Sequence, residues 1–145
     1  MSALSLVQER TDLADFGSPA SAEEISDSEL SLGVVLPKSY KTFLARLGAG
    51  DFDGHEFYGL ISGNLRAEGV PNMLWLTQTM RKEMPWPPFQ IPVYSTGTGS
   101  WVSLLCEENS PDFGRVCLLD PLGQFLKFEH ADFAEFFYER IQQFD

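Results

Sequence analysis

Residues 22–60, AEEISDSELSLGVVLPKSYKTFLARLGAGDFDGHEFYGL, decide the fold. They read as two short helices, a Gly-rich turn and the start of a strand. Ser21 and Glu24 have the spacing of a capping box, in which each side chain satisfies an orphan N–H at the helix start. Gly33 tolerates a left-handed C-cap and ends that helix. Pro37 suits a first helical position, where a missing N–H costs nothing. Tyr40, Phe43, Leu44 and Leu47 then follow at the i, i+3, i+4, i+7 spacing of one buried face, with Lys38, Lys41 and Arg46 on the other. Gly48 and Gly50 close the second helix. Glu29 falls on the same stripe as Ala22, Ile25 and Leu32. A carboxylate buried there needs a donor, and a structural hydrogen bond to neighbouring backbone or to a base is expected.

Upstream, residues 3–16 carry a weak helical period, through Leu4, Val7 and Ala14 or through Leu6, Leu13 and Phe16, before Gly17-Ser18-Pro19 breaks it. Downstream, Asp51 and Asp53 echo part of a calcium loop. The twelfth position of such a loop must be a bidentate Glu, and here it is Ser62. The segment therefore reads as a turn entering the strand His55–Leu60. Residues 64–71 form a loop, and Met73–Met84 a helix with Leu76, Met80 and Met84 in line. Pro85-Trp86-Pro87-Pro88 ends it and makes a rigid connector.

From Ile91 the pattern becomes strands. Ile91 and Val93, then Trp101–Cys106, flank a Gly-rich hairpin turn at residues 95–100. That turn opens a strand rather than a helix and lacks a following GK[ST], so it is no phosphate cradle. Residues 104–107 and 114–119 bracket a second hairpin, in which Cys106 and Cys117 are expected to lie opposite each other as reduced thiols. Asp120-Pro121-Leu122-Gly123 is a β-turn that returns Gln124–Phe128 as the next strand. A closing helix from Ala131 to Phe144 buries Phe133, Phe137, Ile141 and Phe144 and exposes Asp132, Glu135, Glu139 and Arg140.

The fold class is therefore α+β: an antiparallel meander of about four to six strands, flanked by N-terminal and C-terminal helices. At 145 residues, one domain spanning 1–145 is the natural division. Twelve Phe, three Trp and four Tyr give its core a heavy aromatic load. No apolar run is long enough for a membrane span, and MSALSLVQER has neither the basic start nor the apolar stretch of a signal peptide, so a cytoplasmic location is expected. The net charge of −11 opposes nucleic-acid binding and favours a basic partner. Seven acids against one base fall in residues 1–29, and nine against three in residues 105–145.

No set of residues forms a recognisable catalytic or metal-binding group. His55 follows the Gly turn and His130 stands at a helix entry, neither within a known catalytic motif. Cys106 and Cys117 lack the paired spacing of zinc ligands. Glu107 and Glu108 are consecutive on a strand end and point to opposite faces. No catalytic residue, metal or cofactor is expected.

The order Ile25, Glu29, Leu32-Gly33, Leu36-Pro37, Tyr40, Phe43-Leu44 and then a Gly turn resembles the N-terminal signature of the SUKH superfamily of Smi/Knr-like proteins. The resemblance extends through Ile91-Pro92, Gly97–Gly99, the strands around Leu104 and Val116, and Asp132-Phe133 with Phe136-Phe137. It implies a non-catalytic binding module. Many bacterial members are immunity proteins that mask a cognate toxin, often a nuclease, within polymorphic toxin systems; eukaryotic relatives act as regulatory scaffolds. A toxin-neutralising role is the first expectation, a regulatory or scaffold protein with a non-toxin partner the alternative, and an enzyme the third. The partner-binding residues expected are Asp51, Asp53, Glu56, Glu107, Glu108 and Asp112, all on turns or strand ends, as an acidic patch facing a basic toxin.

Overall fold

A computed structural model describes residues 2–145. Five helices and seven strands follow the chain as α1 (Ala3–Glu9), β1 (Ala14–Phe16), α2 (Ala22–Leu32), α3 (Lys38–Leu47), β2 (Gly50–Phe52), β3 (His55–Phe57), α4 (Met73–Glu83), β4 (Gln90–Ser95), β5 (Trp101–Leu105), β6 (Val116–Leu119), β7 (Phe125–His130) and α5 (Phe133–Phe144). The class is α+β. The strands form two antiparallel sheets, β1-β2-β3 and the meander β4-β5-β6-β7.

The 22–60 stretch folds largely as its residues dictate. Ser21 Oγ accepts from Glu24 N at 3.1 Å, and Glu24 Oε1 accepts from Ser21 N at 3.0 Å. Gly33 ends α2 in the left-handed region, with its N–H donated to Glu29 O. Pro37 sits one position earlier than expected: it is the N-cap of α3, where its fixed φ and absent donor again cost nothing. Gly48 alone caps α3, because Gly50 already belongs to β2. What reads as a single turn into a strand is a hairpin. Asp53 and Gly54 both have positive φ, the two-residue turn whose twist matches that of paired strands.

The N-terminal helix is shorter than its period predicts. It stops at Glu9, Arg10 folds onto Asp12 through two hydrogen bonds, and residues 14–16 pair with residues 50–52 as β1. Strand pairing wins because it carries Phe16 into the aromatic core, 6.1 Å from Phe43 and 6.0 Å from Phe137.

That core is built where α3 crosses α5. Phe43 lies 5.0 Å from Phe133 and 5.2 Å from Phe137, while Tyr40 meets Phe133 edge-on at 4.9 Å. Phe57, Tyr94 and Phe136 extend the cluster to both sheets. The Tyr40 hydroxyl, fully buried, donates to Tyr58 O at 2.8 Å, which joins α3 to the segment leaving β3. Gly59 is required beside it. A Cβ there would stand 1.9 Å from Gly48 O, a carbonyl already accepting from Leu60 N.

Three expectations in the C-terminal half need correction. Cys117 pairs with Ser103, not with Cys106, which lies beyond the end of β5; both thiols are buried and free. His130 is the last residue of β7, and Asp132 caps α5 by accepting from Glu135 N. Phe136 occupies the inner face of α5 with Phe133, Phe137 and Ile141, while Phe144 is only partly buried and stacks on His55 at 3.7 Å. Among the described residues no helix is long and apolar enough to cross a membrane.

Candidate functional site

The six predicted acids fall into two groups at opposite ends of α5. Asp51, Asp53 and Glu56 occupy the β2–β3 hairpin, whose His55 stacks on Phe144 at the C-terminal end of that helix. Glu107, Glu108 and Asp112 lie in the β5–β6 connection. Its Phe113 and Gly114 line a groove together with Ala131–Glu135 at the N-terminal end. A helix of twelve residues is about 18 Å long, so the six carboxylates do not converge.

Within the first group, Asp51 stands directly across from Asp15 on one side and from Glu56 on the other. Directly paired residues share a face, so three carboxylates form one row across the small sheet. Asp51 also accepts from Gly54 N at 3.2 Å, while Asp53 is exposed at the turn. In the second group Asp112 is engaged by Arg115, its Oδ1 accepting from Nη1 at 3.1 Å. Glu107 is half-buried and Glu108 exposed, and neither carboxylate has a hydrogen-bonding or ionic partner among the described residues.

The β5–β6 connection separates two grooves. Its Gly114 passes so close to the start of α3 that a Cβ there would meet Pro37 Cβ at 3.3 Å. On one side lies a groove of about 720 Å³ between α1, α3 and α5, floored by Phe43, Phe133 and Phe137. Lys38, Asp132 and Glu135 give its margin both signs of charge.

On the other side a groove of about 660 Å³ runs between the C-terminal end of α2 and residues 106–109. Leu30, Val34, Val35 and Phe89 supply its apolar surface, and Glu29, Glu107 and Glu108 its charges; no Lys or Arg lines it. Leu30 is 82% exposed and Phe89 38% exposed. Sequence reasoning missed both. Leu30 lies off the buried stripe of α2, a lone large apolar residue on a polar face, which was the available signal.

The walls of this second groove are fixed from behind. Arg81 on α4 donates to Leu32 O at 2.8 Å and to Pro88 O at 2.7 Å, tying the end of α2 to the segment that carries Phe89. Burial lowers the Arg81 pKa from its ordinary value. Cys106 N donates to Phe89 O at 2.7 Å, which anchors the acidic loop to the same segment. Burial pushes the Cys106 thiol well up, and burial also raises the Cys117 thiol, opposed in part by the Gln90 amide that donates to its Sγ. Glu29 is committed to the fold: its Oε2 accepts from Leu36 N at 2.8 Å and lies 3.1 Å from Lys41 Nζ. Among the described residues, Glu107 and Glu108 are thus the groove's uncompensated charges.

The two histidines lie apart from this groove. His130 Nε2 is 3.0 Å from Glu139 Oε2, and His55 is the ring that stacks on Phe144. Among the described residues no group of three or more His, Cys, Asp or Glu is arranged to hold a metal ion.

A protein-family model, SUKH_6, described as SMI1-KNR4 cell-wall, matches residues 22–137. The chain belongs to this SUKH family. The matched segment begins with α2, runs through β2, β3 and the four-stranded meander and ends inside α5, so it includes both walls of the acidic groove. It leaves α1 and β1 outside. Membership in the SUKH family is consistent with an immunity-type protein-binding module. No curated protein matches the chain.

Proposed function

We propose that residues 1–145 are one non-catalytic binding unit, an immunity protein that masks a cognate toxin of a polymorphic toxin system inside the producing cell. Family membership supports the class of function. The observation that carries the reading is the pair Glu107 and Glu108, carboxylates with no partner among the described residues, beside an apolar groove that no Lys or Arg lines. Acids left unpaired at an apolar surface suit a basic partner, such as the substrate-binding face of a nuclease toxin. Asp51, Asp53 and Glu56 add to the long-range field from the far end of α5, and Asp112 acts through its pair with Arg115. The net charge of −11 favours a basic protein partner over nucleic acid or an anionic membrane surface. The family description "cell-wall" favours a second reading, a regulatory or scaffold protein with a non-toxin partner.

The test uses the toxin domain that this reading expects to be encoded beside the gene. Co-expression with the chain is expected to restore growth. The association rate should fall as salt rises, because the screening length shrinks from about 10 Å at 0.1 M to about 3 Å at 1 M. Reversing Glu107, Glu108 and Asp112 together to Lys should slow association by about tenfold or more at low salt while the protein stays folded. Equal rates and a flat salt response reject the acidic surface. No binding and no protection leave the scaffold reading in its place.

A further inference from the structure

We infer that the groove between α2 and the β5–β6 connection takes one large apolar side chain of the partner, carried between Lys or Arg residues. Leu30 and Phe89 grip that side chain, and Glu107 and Glu108 take the flanking bases. The inference rests on the reading of the chain as a protein-binding module, and it narrows the partner to a basic segment with an apolar anchor.

Three observations converge on this site. Leu30 and Phe89 are both exposed and line one groove together with Val34 and Val35, which gives an inserted side chain apolar contacts from α2, from the turn that follows it and from the segment before β4. Every charge in the lining is negative, and Glu29 is already answered by Lys41, which leaves Glu107 and Glu108 to select the sign of the visitor. The walls are held in place before anything binds, by Arg81 across the back and by Cys106 N on Phe89 O. A preformed pocket loses little freedom on binding, and buried anchors in such pockets carry most of an interface's affinity. The larger groove under α1 lacks this selectivity, since Lys38 faces Asp132 and Glu135 around it.

The geometry divides the labour. Exposed acids set how fast a basic segment arrives, and the apolar grip sets how long it stays. The first experiment titrates the whole chain with the peptides Lys-Lys-Trp-Lys-Lys, Glu-Glu-Trp-Glu-Glu and Lys-Lys-Ser-Lys-Lys while following the methyl resonances of Leu30, Val34 and Val35. Only the first peptide should shift them saturably, and Glu107→Gln with Glu108→Gln should weaken it about threefold or more. Equal shifts from the Ser peptide, or shifts confined to the β2–β3 hairpin, overturn the groove. The second experiment measures the neighbour-encoded toxin domain. Leu30→Ala with Phe89→Ala should raise its dissociation rate about tenfold or more with association changed by less than about twofold. Toxin binding with an unchanged dissociation rate overturns the groove and leaves the immunity reading standing. A wild-type chain that ignores the toxin but binds the Lys-Lys-Trp-Lys-Lys peptide at these methyls supports the groove and removes the immunity reading.

Discussion

The acids of α2 and those of the small sheet carry the same charge to opposite effect. On α2, Glu24 accepts from Ser21 N, from Ser62 Oγ and from Gly63 N, and Glu29 accepts from Leu36 N beside Lys41. Each carboxylate ties its helix to a loop that would otherwise have unsatisfied donors. On the β1-β2-β3 sheet, Asp15, Asp51 and Glu56 stand in a row and face one another. Like charges directly opposite destabilise a sheet. The first set of acids holds the fold together, whereas the second costs it stability, so net charge alone says little about where a partner binds.

Removing a holding acid should have the largest effect. Glu29→Ala leaves Leu36 N without its acceptor next to a buried side chain and leaves Lys41 alone, for a loss of about 2–3 kcal/mol in urea unfolding. Glu29→Gln keeps an acceptor and should lose about half as much. A loss below about 0.5 kcal/mol for the Ala variant would mean that the 33–36 turn closes without Glu29.

Glu24 comes next and brings a pH signature. Hydrogen bonds from Ser21 N, Gly63 N and Ser62 hold its pKa down to about 2, against an ordinary value of 4.5. A depressed carboxylate contributes stability that is complete above the unfolded pKa and lost as pH falls through the folded one. Glu24→Gln should therefore cost about 1 kcal/mol near neutral pH, and the gap between wild type and variant should close as pH drops from about 4.5 towards about 2. A gap that widens on acidification would assign the effect to another group.

Much of this comparison was legible in the sequence, and the rest was hidden for identifiable reasons. The capping box at Ser21, the Gly33 cap and the need of Glu29 for a donor follow from local chemistry, and all three stand in the structure. The meander from β4 to β7 was also readable, since its turns carry their own signals. β1 was not, because three residues have no period of their own and take their conformation from a partner strand far along the chain. The β2–β3 hairpin did carry a signal, Asp53-Gly54 between apolar residues, that the calcium-loop comparison overshadowed. The pairing of Cys117 was missed because it depends on the hairpin's register, which the long loop leaves open. That the six acids fall into two groups was not legible, since their separation is set by the length of α5. Leu30 and Phe89 line one groove because Arg81 ties Leu32 O to Pro88 O, a brace with no sequence motif.

The smallest expected effect has the opposite sign. Glu56 lies at one end of the acidic row, exposed and without a hydrogen-bonding partner among the described residues, while Asp51 at the centre also serves Gly54 N. Changing Glu56 leaves that turn intact and removes one repulsion across the row. Glu56→Lys goes further and places a cation directly opposite Asp51, for an expected gain of about 0.5 kcal/mol. The gain should shrink at about 1 M salt, where charges this exposed are screened, and Glu56→Gln should capture roughly half of it with a weaker salt dependence. Urea unfolding of the three proteins at low and high salt reads both quantities. A loss of stability in Glu56→Lys, or a gain indifferent to salt, would show that the row is not repulsive and that its acids differ from those of α2 only in lacking donors.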